Sequence, residues 1–170
     1  VRVVSFTGST PAGRKVGEAC GRNLKRAHLE LGGNNAIVVL PGADVAAAAS
    51  AGAFGSFMHQ GQVCMTAGRH LVHESIRDDY VAALKEKAEN LPQGDPWTDA
   101  VALGPIIDET QRDNIDRIVQ SAKDAGAVVE AGGTFEDLFY KPTLLTEVDK
   151  NNPAWKEEIF GPVAPVMTFS

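Results

Sequence analysis

Cys64 stands in the run Gly61-Gln62-Val63-Cys64-Met65-Thr66-Ala67-Gly68-Arg69, and Glu30 in Leu29-Glu30-Leu31-Gly32-Gly33-Asn34. A thiol that can attack a carbonyl carbon and a carboxylate that can activate water are the two halves of covalent catalysis at that carbon. Most lone cysteines are packing residues. The setting of Cys64 argues for chemistry instead. It follows a helical run, in a stretch holding Gly61, Gln62 and Thr66, where backbone can approach a ligand. Cys20, mid-helix between Ala19 and Gly21, reads as packing. Glu30 lies in an alternating run, on the face opposite Leu29 and Leu31, with open space from Gly32-Gly33 beside it. A glutamate so placed is usually only a solvated face residue; beside a nucleophile it can serve as a general base for water.

Two further segments bear on ligand binding. Phe6-Thr7-Gly8-Ser9-Thr10-Pro11-Ala12-Gly13 joins a strand-like run to a helix, the place where a phosphate meets a helix N-terminus. Its glycines do not match GxGxxG. Gly8 and Gly13 fit a Walker A loop, but Arg14 and Lys15 occupy the positions that need Lys and Ser or Thr, which excludes nucleotide hydrolysis. Glu157-Glu158-Ile159-Phe160-Gly161-Pro162-Val163 offers a carboxylate that can accept from ribose hydroxyls and an aromatic ring that can pack beside a planar ligand. The histidines form no metal site. His70 and His73 fall on opposite faces of one strand, His28 and His59 stand alone, and no CxxC or HExxH pattern occurs. All four read as surface or packing residues.

The elements that must hold these residues alternate. Strands are expected over 1–6, 26–31, 36–40, 69–73, 127–131, 143–148 and 163–169, that over 36–40 buried on both faces. Thr10 with Pro11 opens a helix to about Gly21. Asp44 caps an Ala-rich helix reaching about His59, whose Gly52 and Gly55 imply close packing. Ile76, Tyr80, Leu84, Ala88 and Leu91 mark a helix over 76–91. Ile115, Ile118, Val119 and Ala122 mark another, stopped by Gly126. The pattern predicts an α/β fold with mostly parallel sheets and flanking helices. Gly32-Gly33 is the best candidate hinge, dividing 1–33 from 34–170.

Composition sets outer limits. Hydrophobic residues make up 44% and charged residues 22%, a globular balance. A net charge of −6 with scattered basic residues argues against nucleic-acid binding. No apolar run approaches the roughly 18 residues of a membrane helix. Two cysteines fit a reducing compartment, and the expectation is a cytoplasmic protein. The chain opens inside a strand-like run without Met and closes just after another, as a segment of a longer protein would.

The Cys64 run, Glu-Leu-Gly-Gly at Glu30 and the Glu158 to Pro162 string, in this order, resemble the aldehyde dehydrogenase superfamily. After Glu-Leu-Gly-Gly the family usually has a lysine. Here Asn34-Asn35 follows, a variant that resembles the benzaldehyde and vanillin dehydrogenase branch and hints at an aromatic aldehyde. The resemblance implies an aldehyde-dehydrogenase-like fold, with 1–33 the end of a dinucleotide-binding domain and 34–170 a catalytic domain, truncated. It implies oxidation of an aldehyde to the acid with NAD or NADP. Cys64 forms a thiohemiacetal whose oxyanion meets the Cys64 backbone N–H and a family asparagine upstream of this chain. Hydride transfer leaves a thioester, and Glu30 activates the water that hydrolyses it. The resemblance assigns cofactor contacts to Gly8, Ser9, Leu31, Glu158 and Phe160, and implies a homo-oligomer, dimer or tetramer. It also implies that the segment alone is inactive. Two alternatives stay open: a coenzyme A-acylating relative, and a non-catalytic structural protein on the same fold.

Overall fold

In the computed structural model, which describes residues 1–170, the chain forms two compact units, Val1–Gly33 and Asn34–Ser170. In the first, strand β1 (Val3–Gly8) leads through helix α1 (Thr10–Arg22) to strand β2 (Arg26–Leu31), which lies parallel to β1. The first strand runs two residues beyond the expected end at Phe6, so Thr7 and Gly8 belong to the strand. The helix is capped by Ser9, not Thr10: Ser9 keeps an extended backbone and its Oγ accepts from the Ala12 amide at 3.4 Å. Adjacent hydroxyl residues are equally suited to the cap by type, and only backbone conformation separates them. A Cβ at Gly13 would collide with the Leu31 side chain, so this glycine lets helix and strand approach closely.

The second unit is built on strands β3 (Ala36–Val39), β4 (Arg69–His73), β5 (Val128–Ala131), β8 (Thr143–Thr146) and β9 (Val163–Phe169), in the order β3-β4-β9-β8-β5. The pairs from β3 to β8 are parallel and β5 is antiparallel. A two-residue-strand hairpin, β6 (Phe135–Glu136) with β7 (Phe139–Tyr140), precedes β8. Helices α2 (Val45–Phe57) and α3 (Arg77–Asn90) pack through Phe57, Tyr80 and Leu84 on Val39, Val72 and Val166. On the other face α4 (Glu109–Asp124) and the short α5 (Pro153–Lys156) bury Ile115, Ile118 and Trp155 against Leu145 and Val163. Central strands covered on both faces read as continuous apolar runs, as β8 and β9 do.

The strand at 36–40 is not buried on both faces. It is the sheet's edge, and Val38 and Leu40 are 54% and 57% exposed. An apolar run alone does not distinguish an edge from a central strand. The Ala-rich helix, capped by Asp44 as expected, ends at Phe57 and gives way to a 3-10 turn, Met58–Gly61. No helix is long and apolar enough to cross a membrane.

Candidate active site

In the first unit the parallel register sets Gly8 beside Leu31 and Thr7 beside Glu30 at the carboxyl ends of β1 and β2, next to the N-terminus of α1. Ligands bind at that end of parallel strands. Ser9 spends its hydroxyl on the helix cap, and the Leu31 side chain packs against Gly13. No acidic residue stands in the first turn of α1, so its positive end is not neutralised from within. Glu30 points away from Leu29 and Leu31 into solvent, with Oε1 3.1 Å from His28 Nε2. These features fit a dinucleotide's phosphates: a helix end with no acidic residue in its first turn and a glycine at the strand tip.

In the second unit Cys64 is exposed in a tight turn. Thr66 makes that turn: its Oγ1 donates to the Gly61 carbonyl at 2.9 Å and lies 2.5 Å from that of Val63, while its amide donates to Val63 at 3.0 Å. Gln62 Oε1 accepts from the Ile107 amide at 3.0 Å, and the Cys64 carbonyl accepts from Asn35 Nδ2 at 3.3 Å. Just upstream, His59, Gln60 and Gly61 all have left-handed backbones, φ 50°, 58° and 65°. Left-handed backbone at non-glycine residues costs about 1–3 kcal/mol each and persists where the surroundings enforce it.

The Glu158–Pro162 string meets this turn. A Cβ at Gly61 would collide with the carbonyl of Gly161. Ile159 enters the core, whereas Glu158 and Phe160 are half-buried and Phe160 is left-handed, φ 52°. Gln111 Nε2 donates to the Ile159 and Phe160 carbonyls at 3.0 and 2.9 Å. Asn34 Nδ2 donates to the carbonyls of Trp155 and Glu157 at 3.2 and 3.1 Å. Arg69 Nε also donates to Trp155 at 2.9 Å, its guanidinium 5.7 Å from the centre of that indole ring, and Nη1 donates to Asn34 at 3.2 Å. Asn34-Asn35 precedes β3, the Cys64 turn precedes β4, and the Glu158 loop precedes β9. These strands are parallel neighbours, so all three segments gather at their amino ends.

Sequence reasoning passed over several of these residues. Asn34 and Asn35 stood out only as a departure from a motif, and Arg69 only as the end of a string. His70 was read as surface or packing; it is fully buried and hydrogen-bonded to Ser56 of α2 and Tyr80 of α3, each at 2.7 Å. Burial pushes its ring down to about 4 and the Tyr80 hydroxyl well above the usual phenol range. No local signal announces a network spread over three elements.

The aldehyde dehydrogenase family model matches residues 1–170. The chain belongs to the aldehyde dehydrogenase family. It is 62% identical over 170 residues to a vanillin dehydrogenase of Amycolatopsis sp., covering 100% of this chain and 35% of that protein. It is 52% identical over 169 residues to a benzaldehyde dehydrogenase [NAD(+)] of Pseudomonas putida, covering 99% of this chain and 35% of the relative. An NAD-dependent aldehyde dehydrogenase structure from Sinorhizobium meliloti superposes with a TM-score of 0.97 at 36% identity, over 100% of this chain and 35% of that one. A betaine aldehyde dehydrogenase from Staphylococcus aureus, solved with NAD+, gives 0.95 at 33% identity, over 100% and 35%. The chain thus spans about 35% of the length of the curated relatives it matches.

Proposed function

We propose that the protein carrying this chain oxidises an aromatic aldehyde, benzaldehyde-like, to its acid with NAD or NADP, using Cys64 as nucleophile and Glu30 as base. The observation that carries the reading is the gathering of the Cys64 turn, Asn34-Asn35 and the Glu158 loop at the amino ends of three adjacent parallel strands. The 62% identity to a vanillin dehydrogenase and the 52% identity to a benzaldehyde dehydrogenase support the aromatic substrate.

In this mechanism the Cys64 sulfur attacks the carbonyl carbon, and the Cys64 backbone N–H donates to the oxygen that gains charge. The turn fixed by Thr66, Gln62 and Asn35 aims the sulfur. A nicotinamide, when bound, supplies the hydride acceptor. Gly8, Ser9 and Leu31 would hold the phosphates at the α1 end, and Glu158 and Phe160 the ribose and ring. Glu30 takes a proton from the water that releases the acid from the Cys64 thioester.

The decisive assay follows reduced cofactor from the full-length protein with NAD, then NADP, and aldehydes including benzaldehyde and vanillin. Cys64→Ala is expected to abolish turnover while leaving the fold intact by circular dichroism. Turnover that survives the substitution removes the thiol mechanism. The 170 residues alone are expected to be inactive in the same assay. Cytoplasmic location and homo-oligomeric assembly belong to the same proposal, and sedimentation of the full-length protein tests the assembly.

A further inference from the structure

His70 has no part in the chemistry above, yet a directed chain of hydrogen bonds ties it to the Cys64 turn. Ser56 Oγ donates to the Ala67 carbonyl at 2.8 Å, so a lone pair, not its proton, faces His70 Nε2 at 2.7 Å. Nε2 therefore carries the ring proton, and Nδ1 accepts from the Tyr80 hydroxyl at 2.7 Å. The donors run in one direction, from Tyr80 through His70 and Ser56 to Ala67. Ala67 closes the Cys64 turn, and its own amide donates to the Gly55 carbonyl at 2.9 Å. Both backbone polar groups of Ala67 are thus fastened to α2, one of them through Ser56.

Gly52 makes room for this chain: a Cβ there would collide with the Tyr80 hydroxyl and lie 3.1 Å from the His70 ring. The groups facing the ring are Gly52 and Ser56 from α2, the Ala67 carbonyl, Tyr80 from α3, and its register neighbours Ile37 of β3 and Val166 of β9. Tyr80 is the titratable member of that set, and the set contains no carboxylate to balance an imidazolium.

We propose that His70 is a positioning residue: its Nε2–H, on a ring held from the other side by the Tyr80 hydroxyl, keeps Ser56 on the Ala67 carbonyl and so fixes the turn from which Cys64 attacks. This rests on Cys64 being the nucleophile.

The test uses the full-length protein with His70→Gln, His70→Phe, Ser56→Ala and Cys64→Ala, and reads kcat and KM at neutral pH. A glutamine can donate toward Ser56 and accept from Tyr80 without titrating. His70→Phe and Ser56→Ala are expected to lower kcat about 10- to 100-fold with KM changed less than about threefold. His70→Gln is expected to keep kcat within about threefold of wild type. A role limited to packing would lower thermal stability in every variant and leave kcat of the folded enzyme near wild type. Wild-type kcat in Ser56→Ala, or a kcat in His70→Gln as low as in His70→Phe, overturns the proposal; Ser56→Ala decides it should His70→Phe not fold. Turnover surviving in Cys64→Ala overturns it together with the nucleophile reading. Turnover lost in Cys64→Ala, with wild-type kcat in Ser56→Ala, overturns this proposal alone.

Discussion

Glu30 is exposed, with Oε1 3.1 Å from His28 Nε2, so its carboxylate stays open to water. If it is the base for hydrolysis, Glu30→Gln leaves attack by Cys64 intact and blocks the second half of the cycle. The expected result is a fall in steady turnover of about 10²–10⁴-fold, with acylated Cys64 accumulating, visible as a mass increase on the peptide that carries it. Unchanged turnover would remove Glu30 from the mechanism. At this scale the sequence offers candidates for the chemistry and little about their support. Cys64 and Glu30 carry motifs of their own. The residues that fix the Cys64 turn are common types whose partners, Ile107 for Gln62 and the Cys64 carbonyl for Asn35, lie far along the chain.

Gly61 shows what the elements demand. It ends the 3-10 turn with φ 65°, and its missing Cβ is where the Gly161 carbonyl sits. Gly61→Ala therefore incurs both backbone strain and a backbone clash, expected to destabilise by about 2–4 kcal/mol and to part the Cys64 turn from the Glu158 loop. Denaturant unfolding reads the first effect; a midpoint equal to wild type would contradict the contact. The strands Arg26–Leu31, Arg69–His73 and Val163–Phe169 were legible because alternation or an apolar run ends at a clear boundary. The Phe135–Glu136 and Phe139–Tyr140 hairpin was not, since strands of two residues have no period and the turn uses Asp137 at φ 49° where a glycine would be the usual signal. The antiparallel course of β5 was also invisible, because residues 127–131 read alike in either direction.

For the molecule as a whole, His70 links acidity to stability. Its folded value of about 4 lies below the ordinary 6.5, so the unfolded chain binds the extra proton first. The contribution is fully present above pH 6.5 and is lost as pH falls toward 4, on the order of 3 kcal/mol in total. Unfolding free energy measured at both ends of that window is expected to fall less for His70→Gln than for wild type; equal slopes would remove His70 as the source. A parallel α/β fold could be anticipated from alternating elements, but a buried polar network could not, because it exists only after β4, α2 and α3 have packed.

The Arg69 guanidinium rests over one of the chain's two tryptophans, and that pairing divides their optical behaviour. Trp155 is 8% exposed and Trp97 is 94% exposed. Emission from Trp97 reports bulk water in every folded state. Emission from Trp155 senses a cation, a dry wall and the segment that leads to Glu158. With Trp97 replaced by phenylalanine, the remaining tryptophan fluorescence of this chain becomes a local gauge of the contacts that Asn34 and Arg69 make at Trp155.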